Sequence, residues 1–485
     1  MNIYDHESTA LVTDLYELTM MQGYFFYRKN ETAVFDMFYR TQPFAGGYAV
    51  FAGLEPMVRA VLNFRFGQEE LRYLSGLKLF TPAFLDFLAT LRFRGDIYAV
   101  EEGEVVFPRE PLVRVHATII EAQMIESLLL NVINFQTLIA TKTARIVKAA
   151  AGRSVSEFGL RRAHGIDGAL SASRAAHIGG AASTSNLLAG KVFGIPVQGT
   201  MAHSWVMAFD AECTAFMKYA SLYPEHTVLL VDTYNTLTKG IPAAIRVFRG
   251  LKRKGITGFG LRLDSGDLEY LSKQARRMLD SAGLPEAKIV ASNELDEYII
   301  EQLVRKGSPI DIFGVGSRLV TGYGDPALNG IYKLAARGKG KRFVPGIKLS
   351  DNPEKITDPF VKNVLRFYGD NDSPMGDLIV IESELSRYAR MSRLRQPVRM
   401  YNSEFINESV ELRGCRDARP LLRQVVKNGV VIAPFPGLGR LRAQTELRLA
   451  ALHPSYRRLL NPRKYPVSIT KKLRDMKINM IEKYR

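Results

Sequence analysis

The sequence has 485 residues, of which 46% are hydrophobic and 24% charged, so we expect two or three folded domains rather than a disordered chain. Its two cysteines can form neither a disulfide framework nor a cysteine-rich metal site, and they suit a reducing compartment. The N-terminal stretch lacks the pattern of a signal peptide, and no apolar run approaches the ~20 residues of a membrane helix. These features predict a soluble, cytoplasmic protein.

The net charge of +17 results from 66 basic and 49 acidic residues. Such a balance is compatible with binding to nucleic acid, to an anionic membrane or to phosphorylated small molecules. Nearly half of the excess lies in residues 451–485, which contain ten Lys and Arg residues and two acidic ones. A charge block of this kind is usually a solvated tail. A nucleic-acid-binding protein is the alternative, but the sequence shows no known binding motif and no aromatic residues interleaved with basic strands.

The first zone of the chain, residues 1–135, has the mixed pattern of an α+β domain. Glycine and proline interrupt β-branched residues, which is typical of strands joined by turns. The predicted elements in chain order are a helix over 11–28 with a capping-box-like start at Asp14 and Glu17, strand-like stretches within 31–66, β-structure over 95–120, and a helix over 121–151 that stops at Gly152.

The second zone, residues 136–385, alternates between strand and helix with a repeat of ~25–32 residues. Such repeats indicate parallel βα units, arranged either as a closed barrel or as an open doubly wound sheet. The predicted strands are 227–232, 259–264, 288–293 and 311–317, and the predicted helices between them are 241–254, 267–282 and 295–306.

Polar or glycine residues end each of these strands, which favours the barrel. In α/β barrels the active site lies at the carboxyl ends of the strands, where unlike groups from several strands meet. An open sheet instead concentrates its ligands at one switch point. The residues at the predicted strand ends are Asp232, Thr233, Arg262, Asp264, Ser292, Asn293, Gly316 and Ser317, with Phe158, Arg161 and His203 near the ends of two strand-like stretches upstream.

The stretch GLRLDSGD at 260–267 is the most informative of these motifs. Arg262 and Asp264 alternate with leucines and therefore share one face of a strand. An arginine can clamp a carboxylate and a carboxylate can hold ribose hydroxyls, but an internal ion pair fits the spacing equally well. After the last strand, Gly316 and Ser317 belong to a glycine-rich turn that suits a phosphate. An ordinary turn is at least as compatible with this short pattern.

Two further motifs contain candidate ligand-binding residues. In EFGLRRAHG, Phe158 and Arg161 combine an aromatic face with a guanidinium, which suits a flat anionic ring, although a core phenylalanine beside surface arginines is the simpler interpretation. In GTMAHSW, small residues leave room around His203, which could be an acid–base catalyst, a metal ligand or a phosphoryl acceptor. A lone histidine is more often structural. Since H-E-x-x-H, P-loop and dinucleotide motifs are missing from the sequence, we expect no zinc site and a different mode of phosphate binding.

Taken together, these motifs resemble those of the nicotinate phosphoribosyltransferase family. LVTDLYELTMMQGY, EFGLRRAHG, GTMAHSW, LLVDTYNTL, GLRLDSGDL and GVGSRLVTG occur in the order that the family shows. The resemblance implies an ATP-dependent reaction in which nicotinate and phosphoribosyl pyrophosphate give nicotinate mononucleotide and pyrophosphate, the first step of NAD salvage from nicotinate. It also implies an irregular, open α/β barrel of the type II phosphoribosyltransferase kind with an α+β N-terminal domain. The family works as a homodimer whose active site is shared between subunits.

The resemblance further implies Mg²⁺ as a cofactor, ATP as a co-substrate, and roles for individual residues. It implies that ATP phosphorylates His203, and that Arg262 and Asp264 take part in catalysis. Asp232 is implied to lie near the magnesium pyrophosphate. The residues implied to bind substrate are Tyr16 and Phe158 on the pyridine ring, with Tyr16 reaching from the partner subunit, Arg161 and Thr200 in the substrate pocket, and Ser292, Asn293, Gly316 and Ser317 at the 5′-phosphate.

The third zone, residues 386–485, is basic, has little periodicity and contains no motif that matches the family. A phosphoribosyltransferase that uses nicotinamide or quinolinate is a close alternative. A barrel aldolase or isomerase would need a catalytic Lys or Glu at a strand end, where the sequence has Asp, Arg, Ser and His instead. Neither nucleic acid nor a membrane is expected as a partner.

Overall fold

The computed structural model describes residues 10–340, 342–405 and 407–484. The chain forms two compact units. Unit 1 holds the described residues up to Leu138 and from Ala327 onward, and unit 2 is Ile139–Pro326. Part of the N-terminal stretch used in the signal-peptide prediction lies outside the described residues. None of the helices in the described ranges has the length and apolar composition that a membrane span requires.

The N-terminal part of unit 1 mixes strands and helices, as the sequence predicts. Its elements are α1 (Leu15–Tyr27), β1 (Thr32–Tyr39), β2 (Ala49–Val50), α2 (Leu54–Leu62), α3 (Gln68–Gly76), α4 (Pro82–Thr90), β3 (Asp96–Ala99), β4 (Val105–Val106), β5 (Val113–Thr118), α5 (Ile119–Met124) and α6 (Glu126–Ala149), of which α6 continues into unit 2.

Three predicted details of this region are wrong. Helix α1 begins later than predicted, and Glu17 does not close a capping box with Asp14. The buried Glu17 carboxylate instead accepts hydrogen bonds from the backbone N–H and the hydroxyl of Ser127, at 3.0 and 2.6 Å. The predicted helix over 121–151 is two helices, because Ile125 has non-helical backbone angles between α5 and α6.

Unit 2 contains the repeating strand and helix pattern. Its elements are β6 (Ser154–Glu157), α7 (Gly165–Ile178), β7 (Ser183–Thr184), α8 (Leu187–Phe193), α9 (His203–Met207), α10 (Glu212–Leu222), β8 (Thr227–Leu230), α11 (Ile241–Arg253), β9 (Phe259–Leu263), α12 (Leu268–Ser281), β10 (Lys288–Ala291), α13 (Glu297–Arg305), β11 (Ile312–Val315) and α14 (Ser317–Val320).

The six strands of unit 2 form one parallel sheet in the order β7-β6-β11-β10-β9-β8. Within the described residues β7 and β8 are edge strands, so the sheet is open, and the expected open α/β architecture is confirmed. Helices α11, α12 and α13 each bury an apolar face. All three end at glycines with left-handed backbone angles, Gly255, Gly283 and Gly307, which relieves the steric cost of the turn. Because all six strands run parallel, their carboxyl ends lie along one edge of the sheet.

The C-terminal part of the chain completes unit 1 with many short strands. Its elements are β12 (Gly330–Lys339), β13 (Arg342–Pro345), β14 (Lys362–Tyr368), β15 (Pro374–Ile381), α15 (Leu385–Arg393), β16 (Val398–Tyr401), β17 (Ser409–Leu412), β18 (Asp417–Pro420), β19 (Arg423–Lys427), β20 (Val430–Val431), α16 (Leu438–Ala451), β21 (Val467–Ile469) and α17 (Lys471–Tyr484).

Two larger sheets organise unit 1. An antiparallel seven-stranded sheet has the order β13-β12-β1-β5-β3-β19-β20, and a mixed six-stranded sheet has the order β17-β16-β21-β15-β14-β18. The first sheet joins strands from both ends of the chain, since β1 pairs with β12 and β3 pairs with β19. The division into domains near residues 135 and 385 stays a prediction.

A buried ion pair stabilises the C-terminal helix of unit 1. Nζ of Lys477 on α17 lies 2.7 Å from Oδ1 of Asp358, and both side chains are less than one-tenth exposed. Ser403 donates to the same carboxylate at 2.9 Å. Burial opposes ionisation of Asp358, but the charge and hydrogen bond of Lys477, together with the charges of Arg109 and Lys362, outweigh it and lower the pKa of Asp358.

Candidate active site

Unit 2 collects polar side chains at the carboxyl edge of its parallel sheet. Neighbouring parallel strands run in the same direction, so the residues that end or follow them emerge at this one edge. Tyr16 is on α1 in unit 1. The predicted residues found at the end of a strand of unit 2 are Asp232 after β8, Arg262 and Asp264 at β9, Ser292 and Asn293 after β10, Gly316 and Ser317 after β11, and Phe158 after β6.

Arg262 donates hydrogen bonds to three other side chains at this edge. Its Nη2 donates to Oδ1 of Asp264 at 2.6 Å, and its Nε donates to the hydroxyl of Ser292 at 2.7 Å. Its Nη1 donates to the hydroxyl of Thr200 at 2.8 Å, while Ser292 also donates to Asp264. The Arg262 side chain is 16% exposed and that of Asp264 is 29% exposed. The internal ion pair that the spacing left open is therefore formed, and its partners remain accessible to a ligand.

Asp232 links the end of β8 to the turn after β9. Its Oδ2 accepts hydrogen bonds from the backbone N–H of Asp264 at 2.9 Å and from the hydroxyl of Ser265 at 2.6 Å. Its Oδ1 is buried without a hydrogen-bond partner among the described residues. Both carboxylate oxygens of Glu212 are likewise buried without a hydrogen-bond partner among the described residues. Burial raises the pKa of Glu212, the Lys239 charge lowers it, and the Asp232 charge raises it again.

These carboxylates fit the ligand preferences of Mg²⁺. The ion prefers oxygen ligands, keeps several waters, and is usually held by one or two carboxylates together with substrate phosphates. The unpartnered Oδ1 of Asp232 offers one such oxygen. Within the described residues, no group of three or more His, Cys, Asp and Glu side chains could hold a metal by itself. Asp232 could therefore contribute an oxygen ligand to a magnesium ion.

Phe158 lies at the carboxyl end of β6, beside β11. Its backbone N–H donates to the carbonyl of Val315 at 2.8 Å, and its ring covers Gly314 so closely that a Cβ there would lie 2.5 Å from the ring. Any side chain at position 314 would displace the ring, which gives a packing reason for this glycine. The guanidinium of Arg262 lies 5.8 Å from the centre of the same ring. An aromatic face and a cation thus meet at the site, but the cation is Arg262 rather than Arg161, which the sequence paired with Phe158.

Glu157 supports the turn that carries Phe158, and the sequence analysis did not identify it. The carboxylate is 1% exposed. It accepts hydrogen bonds from the backbone N–H of Gly159, from the Ser173 hydroxyl at 2.9 Å and from the Thr184 hydroxyl at 2.6 Å. No sequence pattern reveals this role, because the partners lie up to 27 residues away.

His203 stands at the start of the short helix α9, and its Nδ1 lies 3.1 Å from the hydroxyl of Thr233. The ring is therefore tied to the residue that follows Asp232 at the end of β8. The expected strand before it is wrong. Val197 forms only an isolated bridge with Thr184, and the rest of the segment reaches α9 without strand pairing in the described structure.

Two carboxylates connect the turns after β10 and β11. The Ser317 hydroxyl donates to Oε1 of Glu294 at 3.1 Å. Nη1 of Arg318 donates to Oδ2 of Asp296 at 2.5 Å. Asn293, next to Glu294, has a φ of 106°, a strained conformation for a residue with a Cβ. Glu294 and Arg318 were not identified from the sequence, because exposed charged residues near a turn are common.

The remaining predicted residues have different settings. Arg161 lies in a short turn after Phe158 and is exposed, with no hydrogen bond or ion pair to another described residue. Tyr16 is 48% exposed. Its partial burial and the charges of Glu126, Glu17 and Asp14 raise the pKa of its hydroxyl, which therefore stays neutral at physiological pH.

Comparison with known proteins identifies the family. Three family models match the chain: the nicotinate phosphoribosyltransferase N-terminal domain over residues 11–134, the nicotinate phosphoribosyltransferase family over 153–368, and the nicotinate phosphoribosyltransferase C-terminal domain over 361–477. The chain is 41% identical over 469 residues to the nicotinate phosphoribosyltransferase of Bacillus subtilis, covering 96% of this chain and 94% of the relative.

Two further relatives agree. Nicotinate phosphoribosyltransferase pncB2 of Mycobacterium tuberculosis is 48% identical over 347 residues, which cover 70% of this chain and 74% of the relative. The crystal structure of human nicotinic acid phosphoribosyltransferase superposes with a TM-score of 0.82 at 29% identity, covering 97% of this chain and all of the human chain. The chain therefore belongs to the nicotinate phosphoribosyltransferase family.

Proposed function

We propose that the protein transfers the phosphoribosyl group of phosphoribosyl pyrophosphate to nicotinate, with hydrolysis of ATP, giving nicotinate mononucleotide and pyrophosphate. This is the first step of NAD salvage from nicotinate. The observation that carries the proposal is the set of hydrogen bonds made by Arg262. There, a guanidinium, a carboxylate and hydroxyls from separate strands and loops converge beside an aromatic ring. These groups suit a sugar phosphate and a flat anionic base.

The base would bind against the face of Phe158. Its carboxylate has two cationic groups to choose from, the accessible Arg262 and the exposed Arg161 in the following turn. Guanidinium groups bind carboxylates with two parallel hydrogen bonds. The 5′-phosphate would bind at the turns after β10 and β11, where Ser292, Asn293, Gly316 and Ser317 lie. We propose these as binding residues, together with Thr200.

The reaction needs no general base. The pyridine nitrogen already carries a lone pair, which forms the new bond to the anomeric carbon as the bond from that carbon to pyrophosphate breaks. The sugar then becomes cationic, and the carboxylate of Asp264 would bind its hydroxyls and stabilise that charge. Because Arg262 and Ser292 hold Asp264 in place, the carboxylate is preorganised for this role.

Asp232 would serve the leaving group. When Mg²⁺ is bound, it neutralises charge on the pyrophosphate oxygens. The unpartnered Oδ1 of Asp232 would hold the ion directly or through water, while the backbone of Asp264 and the Ser265 hydroxyl fix the other oxygen. This arrangement keeps the carboxylate oriented before the substrate arrives.

ATP would phosphorylate His203. Nδ1 is engaged with Thr233, which fixes the ring and directs Nε2 away from this contact. In the transfer, a lone pair of the ring attacks the γ-phosphorus, the bond to ADP breaks, and ADP leaves. A phosphorylated His203 adds negative charge beside Asp232 and so alters substrate binding, which couples ATP cleavage to product formation.

We further propose a cytoplasmic homodimer in which Tyr16 acts in the partner's site. Helix α1 exposes apolar side chains on its surface, and an exposed apolar patch marks an interaction surface. Leu15 is 52% exposed and Met20 is 39% exposed, with Tyr16 between them. A two-fold axis would make the exchange of Tyr16 reciprocal.

The proposal is tested by product formation from nicotinate, nicotinamide and quinolinate, each with and without ATP. We expect nicotinate mononucleotide as the product and a higher rate with ATP. A charge-assisted hydrogen bond is worth roughly 1.5–3 kcal/mol, so nicotinate should exceed nicotinamide in kcat/KM by about 10- to 100-fold. Equal kcat/KM values for the two bases, or a preference for quinolinate, would refute the assigned substrate.

A further inference from the structure

The turn assigned to the 5′-phosphate already contains a negatively charged group. The Ser317 hydroxyl donates to Oε1 of Glu294 at 3.1 Å. Oε2 of Glu294 lies 3.7 Å from Nε of Arg318. A hydroxyl and a guanidinium are the groups that a phosphate oxygen prefers as donors. The Glu294 carboxylate thus occupies the hydroxyl and guanidinium donors that a phosphate would otherwise bind.

The neighbouring Asp296 shows what a structural carboxylate looks like in the same turn. It is 7% exposed, accepts the backbone N–H groups of Tyr298 and Ile299 at the start of α13, and binds Arg318 at 2.5 Å. This carboxylate stabilises the helix and ties two turns together, and it cannot leave without exposing those donors. Its contact with Arg318 persists whatever Glu294 does.

Glu294, in contrast, is not buried and accepts no backbone N–H hydrogen bond from the described residues. Its side chain is 58% exposed, and its contacts among the described residues are those with Ser317 and Arg318. An exposed side chain changes rotamer at little cost, so an incoming anion can displace it. Displacement releases the Ser317 hydroxyl and leaves Arg318 anchored on Asp296 beside the vacated position.

We propose that Glu294 is an internal competitor of the substrate phosphate, which lowers the affinity of the turn for phosphate ligands and so tunes selectivity. The inference rests on the proposed function, because it takes Ser317 as a phosphate ligand. A ligand with only one phosphate must displace the carboxylate with few other contacts. Phosphoribosyl pyrophosphate adds the contacts of its ribose and pyrophosphate, so it binds where inorganic phosphate does not accumulate.

The test is isothermal titration of the full-length protein with ribose 5-phosphate and, separately, with inorganic phosphate. Glu294→Gln keeps the size of the side chain and removes its charge. We expect it to tighten binding of both probes by about three- to tenfold, the effect of removing one solvent-screened like charge next to a phosphate. Ser317→Ala should weaken both by about tenfold. Glu225→Gln is the matched control, since Glu225 is exposed and lies at the amino end of β8, the opposite edge of the sheet.

The outcomes separate the inference from the function it rests on. Tighter binding in Glu294→Gln with weaker binding in Ser317→Ala supports the competitor. Equal or weaker binding in Glu294→Gln, while Ser317→Ala still loses affinity, overturns the competitor and leaves the phosphate site in place. If Glu225→Gln tightens binding equally, the tighter binding comes from the change in the protein's net charge rather than from the turn, and the inference fails. Unchanged binding in Ser317→Ala overturns both the inference and the assigned phosphate position.

Discussion

Arg262 and Asp264 lie two residues apart on one face of a parallel strand, and Nη2 of the arginine donates to Oδ1 of the aspartate at 2.6 Å. The pair is not a sealed internal ion pair. Both side chains stay partly exposed at the carboxyl edge, and the same guanidinium also binds hydroxyls on two other segments. The arginine therefore sets the position of the carboxylate that we assign to the sugar.

Replacing Arg262 with lysine should lower kcat/KM for phosphoribosyl pyrophosphate by about 10²- to 10³-fold. Lysine keeps the charge, but its single ammonium cannot reproduce three N–H donors in a planar fork. Steady-state kinetics measure the effect. Arg249→Lys is the control, because Arg249 on α11 is exposed and, among the described residues, its side chain donates only to a carbonyl, at 3.4 Å. A loss of less than threefold in Arg262→Lys would show that the fork is unimportant.

Replacing His203 with alanine should abolish ATP hydrolysis and the stimulation of product formation by ATP. The reason is that the phosphoryl acceptor is gone, whereas the fold should persist because α9 is short and the histidine is only half-buried. Labelling with γ-labelled ATP, followed by acid treatment, reports the phosphohistidine. His226→Ala, at the opposite edge of the sheet, should keep its label. Undiminished acid-labile label in His203→Ala would contradict the assignment.

Mixing Tyr16→Ala and His203→Ala subunits, each nearly inactive in the ATP-coupled assay, should restore activity in that assay. If Tyr16 acts across a two-fold interface, each mixed dimer has one intact site and one doubly damaged site. Random reassembly makes about half of the dimers mixed, so about one quarter of wild-type activity should return. If Tyr16 acts within its own chain, every site keeps one lesion. No recovery after verified subunit exchange would therefore exclude a shared site.

Replacing Lys477 with methionine should destabilise the protein by about 3–5 kcal/mol at pH 7, because it removes the cation that is directly paired with the buried Asp358 carboxylate. In the wild type the folded pKa of Asp358 is lowered, so this stabilisation is present above the unfolded pKa of about 3.9 and is lost as the pH falls through the folded value. The difference between variant and wild type should therefore shrink in acid.

Thermal unfolding from pH 7 down to about pH 2, which spans the unfolded pKa and the lowered folded pKa of Asp358, measures this difference. Lys471→Met on the same helix is the control, since Lys471 is 69% exposed and lies 3.8 Å from an exposed carboxylate. Its melting temperature should stay close to that of the wild type at every pH. A Lys477→Met protein as stable as the wild type at pH 7 would mean that the buried pair contributes nothing.

Local sequence patterns were enough to predict many of the strands and helices of unit 2. Alternating strand and helix signals predicted β8 to β11 and α11 to α13 to within a few residues, because each element depends on its own periodicity and on the glycines that end it. The same patterns placed Arg262, Asp264, Ser292 and Ser317 at strand ends. Where parallel strands end, sequence position alone implies proximity, so much of the candidate site could be predicted.

Elements whose geometry depends on distant partners could not be predicted. Glu17 resembles part of a capping box, but Ser127, 110 residues away, binds its carboxylate. Strand β1 pairs with β12 across about three hundred residues, and the C-terminal strands are short and lack periodicity. A hydrogen bond between such segments satisfies donors and acceptors that no local window contains.

The sequence by itself therefore determined the chemical types at the site, the family resemblance and the parallel βα units. Only the tertiary structure decided the strand order and the partners of the charged groups. Glu157, Glu294 and Asp358 illustrate the reason. Each is one carboxylate among 49 acidic residues in the sequence, and its role follows from the donors that folding brings within hydrogen-bond distance.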